Sequence, residues 1–197
     1  MKKILIGTHN QGKFREISFL LPKKIKKISA NSLKIKSPKE TGTTFHANAK
    51  LKAKYFSKRS NLPVISDDSG LCIKALKGRP GIYSARWAKK YGSFNNAMKV
   101  ILKKMRKKKD RSANFVCSLS FISNNKKTFI VTGRIKGSIS FKKVGKNGFG
   151  YDPIFIPNRE SRTFGQMQKR EKVKMDHRFI AFQKLKKKIK IWQIYYF

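Results

Sequence analysis

Only nine acidic residues stand against 49 Lys and Arg in this 197-residue chain. Each acid is therefore conspicuous, and two of them, Asp67 and Asp68, are adjacent. They follow the apolar run 62–66 in the order Ser66-Asp67-Asp68-Ser69-Gly70. Paired carboxylates at the end of a strand are hard oxygen ligands suited to Mg2+, and either one can act as a general base. Inside a strand they would leave opposite faces, so a turn is expected to begin here if both are to meet one site. A solvated Asp-rich turn is the plain alternative. A second group, Thr8-His9-Asn10-Gln11-Gly12-Lys13, lies where an apolar strand meets a helix. Glycine permits close backbone approach, the free N–H groups of a helix start favour an anion, and Lys13 adds a cation; an oligophosphate needs all three. The spacing is not the GxxxxGK[ST] of the common nucleotide-binding loop. An ordinary turn capped by Asn10 would read the same way.

Two further segments carry polar groups in suggestive order. Residues 145–152, GKNGFGYD, set Phe149 and Tyr151 among glycines, where an aromatic face could stack on a base; a hairpin loop with two core aromatics is the alternative. Glu171-Lys172 and then Asp176-His177-Arg178 stand at a helix start. Arg178 could fork onto carbonyl or phosphate oxygens and His177 could donate a hydrogen bond, unless the pair simply lies on a basic surface. His9, His46 and His177 show no metal-ligand spacing, and no Ser-His-acid set suggests a triad.

The elements that must position these groups follow from apolar periodicity. Residues 3–7 (KILIG) read as a buried strand, and 10–21 as a helix with Phe14, Ile17, Leu20 and Leu21 inward, stopped by Pro22. A weaker strand is expected over 25–29. A helix follows over 44–59, with Phe45, Ala49, Ala53 and Phe56 on one side. Short strands are expected over 62–66 and 71–76, then a Gly78-Arg79-Pro80-Gly81 turn. Residues 95–108 form an amphipathic helix, with Met98, Ile101, Leu102 and Met105 inward. Segments 113–122 and 127–135 flank a hairpin-like 123–126, and a last helix spans 176–189. This mixture predicts one α/β domain over 1–197, with a mixed central sheet, partly parallel and partly antiparallel, flanked by helices.

Composition bounds the function. A hydrophobic share of 39% supports an ordinary core. The formal charge of +40 attracts polyanions, but the lysines run from Lys2 to Lys190 without forming one patch, as compositional drift on solvated faces would leave them. No run approaches 18 apolar residues and no secretory leader is evident, so neither a membrane span nor export is expected. Two cysteines, Cys72 and Cys117, make no disulfide framework and fit a reducing cytoplasm. The basic, aromatic end 184–197 (KLKKKIKIWQIYYF) could lie on a membrane surface, but is expected to finish the fold with its aromatics docked.

Taken together, ILIGTHNQGKFREI, ETGTTFHANAKLKA, SDDSGLCIKALKGRPGIYSARWA, NGFGYDPIFIP and EKVKMDHR occur in an order that resembles, over nearly the whole chain, the inosine/xanthosine triphosphate pyrophosphatase family. The resemblance implies an α/β fold of two lobes with a nucleotide-binding cleft, usually a homodimer. It also implies Mg2+-dependent hydrolysis of ITP, dITP and XTP to the monophosphate and pyrophosphate, removing them from the nucleotide pool. Carried over by matching position, Thr8, His9, Asn10, Gln11, Gly12 and Lys13 would hold the triphosphate, and Glu40 and Asp68 the metal. Asp68 would take the proton of the attacking water with Asp67 in support, and Ser69 would contact the substrate. Phe149, Gly150, Tyr151 and Asp152 would frame the purine, and Lys172, His177 and Arg178 would complete the nucleotide site.

Three positions depart from that family's pattern: Asp176 for serine, Gln166 for glutamate and Lys74 for aspartate. Asp176 bears on affinity or base choice, since its carboxylate could bind a His177 imidazolium or repel the nucleotide. A septum-inhibitor-type pyrophosphatase acting on dTTP or UTP is the nearest enzyme alternative. A basic nucleic-acid-binding protein with vestigial catalytic residues is the alternative from another class; it would show steeply salt-dependent polymer binding and no turnover.

Overall fold

The protein is described by a computed structural model over residues 2–189. The aromatic end discussed above, with Trp192, Tyr195, Tyr196 and Phe197, lies outside the described residues. In chain order the elements are β1 (Lys3–Ile6), α1 (Gln11–Leu20), β2 (Lys26–Ser29), α2 (Phe45–Ser60), β3 (Val64–Ile73), α3 (Ser84–Lys90) and α4 (Phe94–Met105). There follow β4 (Ser112–Ile122), β5 (Thr128–Ile139), β6 (Phe155–Pro157), the single turn α5 (Lys169–Lys172) and α6 (His177–Ile189). The six strands form one sheet in the order β2-β1-β3-β4-β5-β6. β1 pairs parallel with both β2 and β3, and β5 pairs antiparallel with β6, so the sheet is mixed as expected. Among the described residues no helix is long and apolar enough to cross a membrane.

The chain divides into two compact units, and β3, β4 and β5 each contribute residues to both. Among the described residues the first comprises 2–68, 117–133 and 178–189. Its parallel strands are apolar on both faces, which requires cover on both sides. Ile4, Ile6 and Ile65 pack with Ile17 of α1 and with Ala181, Phe182 and Leu185 of α6. Leu5 and Val64, one residue out of step, pack with Ala53 and Phe56 of α2 instead. Strand alternation thus sorts α1 and α6 to one face and α2 to the other. Each helix entry is set locally. The Asn10 side chain accepts from the Lys13 N–H at 3.0 Å, and Thr44 Oγ1 accepts from the Ala47 N–H at 3.0 Å.

The second unit comprises 69–116 and 134–177. Ala97, Met98, Ile101 and Met105 of α4 pack there with Leu71, Ile73, Phe115, Ile139, Phe155 and Phe164. Three expectations are corrected. The strands expected over 62–66 and 71–76 are one, β3, which runs straight through Asp67, Asp68, Ser69 and Gly70. Gly70 does not turn the chain. A Cβ there would stand 2.2 Å from the Gly81 carbonyl oxygen, so glycine serves close approach, while Leu71 and Ile73 continue the buried strand. β5 continues to Ile139, and the three-residue β6 was not foreseen.

Candidate active site

On β3 the parity that sorts the helices also sorts the two acids. Asp67 shares its face with Ile65, and Asp68 shares its face with Val64. Asp67 is fully buried, and its Oδ2 receives Lys13 Nζ at 3.1 Å from α1 and Arg178 Nε at 3.4 Å from α6. The Cys117 thiol lies 4.0 Å from the same oxygen. Burial by itself would raise the Asp67 carboxyl. The Lys13, Arg178 and Lys52 charges outweigh it and hold the group ionised, well below the usual carboxylate range. Arg178 is anchored a second time, donating from Nη1 to Glu16 Oε2 of α1 at 2.8 Å.

Asp68, only 4% exposed, accepts from Asn48 Nδ2 of α2 at 3.0 Å. Burial pushes its carboxyl above the ordinary value; Lys52 and Lys13 oppose the shift and Glu40 adds to it. Asn48 also accepts from the Gly42 N–H at 2.8 Å, which ties the segment after Glu40 to the helix. One turn further along α2, Lys52 reaches Glu40 with Nζ 2.6 Å from Oε1. Burial would lower the Lys52 ammonium, yet Asp67, Asp68 and Glu40 raise it, so it stays charged. The first unit therefore gathers four carboxylates, two lysines and one arginine joined by ion pairs and mutual charge. The turn that seemed necessary for both acids to act on one site is unnecessary, because Lys13 and Lys52 feel both carboxylates from helices on either face of the strand.

Glu40 and Asp68 supply hard oxygen donors of like charge, which is what a magnesium ion takes from protein. Among the described residues no cluster of three or more His, Cys, Asp and Glu side chains is placed to hold a metal ion.

The second unit holds a separate group. Asp152 Oδ2 accepts from the Phe149 N–H at 2.8 Å and from Lys172 Nζ at 2.7 Å, and both side chains of this ion pair are almost fully buried. Gly148 adopts φ +75°, and a Cβ there would fall 2.1 Å from Asp152 Oδ2. The loop 145–150 is thus wound around one carboxylate. Tyr151 is buried, with its hydroxyl donating to the Ser84 carbonyl at 2.9 Å, and burial lifts its pKa further above the ordinary phenol value. Phe149 remains half-buried with Lys172 Nζ 4.8 Å from its ring centroid. His177 is buried and stacks on Phe115, with ring centroids 4.8 Å apart and planes at 10°. Asp176, just ahead of it, is fully buried.

The remaining expected residues are placed as follows. Thr8 and Gly12 are buried, Asn10 is half-buried as the cap, His9 and Gln11 are exposed, and Ser69 is half-buried in the second unit. Of the departures, Gln166 Oε1 accepts the Thr163 N–H at 2.9 Å, and Lys74 pairs with exposed Asp110 at 3.1 Å. Sequence reading missed Glu16, Asn48 and Lys52. A lysine within the apolar stripe of α2, between Ala49 and Ala53, was the available signal, but lysine is too abundant here for it to stand out. Glu16 beside inward Ile17 was similarly legible.

A family model described as the Ham1 family matches residues 4–188. Among curated proteins, a dITP/XTP pyrophosphatase of Caulobacter vibrioides is 42% identical over 186 residues, covering 93% of this chain and 96% of the relative. A dITP/XTP pyrophosphatase of Oceanobacillus iheyensis is 43% identical over 192 residues, covering 95% and 98%. Among solved structures, the Staphylococcus aureus Ham1 protein aligns with a TM-score of 0.84 at 37% identity, over 96% of this chain and 98% of that one.

Proposed function

The chain belongs to the Ham1 family, and from that premise we propose that it hydrolyses the non-standard purine triphosphates ITP, dITP and XTP to the monophosphate and pyrophosphate. The observation that carries the reading is Asp68, a nearly buried carboxylate held by Asn48 in the unit where Lys13 and Lys52 pair with Asp67 and Glu40. A positioned carboxylate among fixed cations suits the attack of water on a phosphoryl centre, where positioning and charge neutralisation supply most of the rate. Asp68 accepts the proton of that water. Lys13 and the N–H groups at the start of α1 face the polyphosphate, and Asp67 holds Lys13 in place. Glu40 and Asp68 would hold Mg2+, which when bound neutralises phosphate charge and helps pyrophosphate to leave.

Discrimination against adenine follows from the six position, and that against guanine, which shares the carbonyl, must involve the two position. Inosine and xanthine carry a carbonyl there, which accepts from donors such as Arg178 or loop amides. Adenine presents an amino group, which leaves such donors unmatched. Arg178 is held in a fixed position by Glu16 and Asp67. A cytoplasmic setting and a homodimer complete the proposal; the first rests on a cysteine content, Cys72 and Cys117, too low for a disulfide framework, the second on the family resemblance.

The test is pyrophosphate release with Mg2+ from ITP, dITP, XTP, ATP, GTP and dTTP, alongside Asp68→Asn. We expect a preference of tenfold or more, about 1.4 kcal/mol, for ITP, dITP or XTP. Loss of the base is expected to lower kcat by about 10²–10⁴. Preference for dTTP would favour the septum-type activity, and no turnover by folded protein would overturn the enzyme reading.

A further inference from the structure

Lys52 lies within the ETGTTFHANAKLKA segment without a role being expected of it, yet the fold buries it to 5% exposure. Lysine ammonium groups are strongly hydrated and are seldom buried unless paired. This one lies 2.6 Å from Glu40 Oε1, and the charges of Asp67 and Asp68 act on it as well. Lys52 thus occupies the middle of a set of three carboxylates as their resident cation. Glu40 is the most accessible of the three, with 27% of its side chain exposed, so the Lys52–Glu40 contact is the one an incoming ion meets.

We propose that Lys52 is a built-in competitor for the metal: its ammonium holds Glu40 in the nucleotide-free protein, and a divalent cation must displace it from that oxygen before Glu40 can ligate. This rests on the assignment of Glu40 and Asp68 as the metal-binding pair. Two physical effects oppose the metal. The ammonium engages an oxygen the ion needs, and its positive charge, a few ångström away in a partly desolvated site, repels a dication. A polyphosphate supplies new acceptors for the same flexible side chain, so phosphate and metal load together. An empty enzyme then holds metal weakly.

The test is a titration of nucleotide-free protein with Mn2+, reading unbound Mn2+ by electron paramagnetic resonance. Wild type is compared with Lys52→Met, Lys52→Gln, Glu40→Gln and the Lys52→Met/Glu40→Gln double variant. Removing the ammonium is expected to tighten Mn2+ binding at least tenfold in both Lys52 variants, with thermal melting and circular dichroism checking the fold of each. The double variant is expected to bind no more tightly than Glu40→Gln alone. Unchanged or weaker binding by the Lys52 variants, with Glu40→Gln still impaired, would overturn the competition and leave the metal assignment standing. Binding by the double variant as tight as that of Lys52→Met, or none by any protein, would overturn the assignment of Glu40 and the competition with it.

Discussion

Asp67 and Asp68 are neighbours in sequence, identical in chemistry and opposite in environment. Asp67 is enclosed with Lys13 and Arg178 on the face that α1 and α6 cover, whereas Asp68 meets Asn48 on the face that α2 covers. One is therefore held ionised as an anchor and the other is made more basic. Asp67→Asn leaves buried Arg178 and half-buried Lys13 without their shared counter-ion, and we expect it to lower unfolding free energy by about 3–5 kcal/mol at pH 7 in urea titrations. The pH dependence has a definite sign. The Asp67 carboxyl lies lower in the folded protein than its ordinary value of 3.8, so unfolding takes up a proton in acid. Its contribution is complete above about pH 4 and fades as the pH falls toward the depressed folded value. The stability gap between wild type and Asp67→Asn should therefore narrow below about pH 4; a gap constant down to pH 3 would contradict the assignment.

At the scale of elements, the site depends on where α1 and α2 begin. Thr44 caps α2, which carries Asn48 and Lys52. Thr44→Ala is expected to cost about 1 kcal/mol of stability in chemical denaturation while leaving kcat/KM within about twofold, since the cap touches neither acid. Gly7 joins β1 to the Thr8–Lys13 turn and lies directly against α2. A Cβ there would fall 2.2 Å from Ser66 Oγ and 2.5 Å from the Phe56 ring. Overpacking of this kind costs about 1–3 kcal/mol. Gly7→Ala should show that loss by thermal melting and also a higher KM for ITP, because the displaced turn carries Lys13. Both caps and the apolar stripes of α1, α2 and α4 were legible, since they rest on local spacing. The unbroken β3 was not, because Ser-Gly reads as a turn until the Gly81 backbone is known to press against Gly70.

For the molecule as a whole, +40 is a large self-repulsion spread over solvated lysines. The screening length falls from about 10 Å at 0.1 M salt to about 3 Å at 1 M. Raising NaCl over that range should therefore raise the melting temperature by several degrees; a flat response would mean that the lysines are neutralised locally. Activity should fall over the same range, since attraction of a polyanionic substrate is screened as well.

The sequence by itself determined the membership, the α/β class, the helix starts and the acids on which chemistry can rest, because these are written in local order and spacing. Five short segments in one order were enough for the family. The tertiary structure alone decided what each charged group faces. Strand parity sent Asp67 and Asp68 to opposite helices, 162 positions of chain separate Glu16 from the Arg178 it anchors, and one lysine among many, Lys52, was chosen for burial against Glu40. Such pairings depend on packing between distant segments, and no local pattern of residue types carries that information.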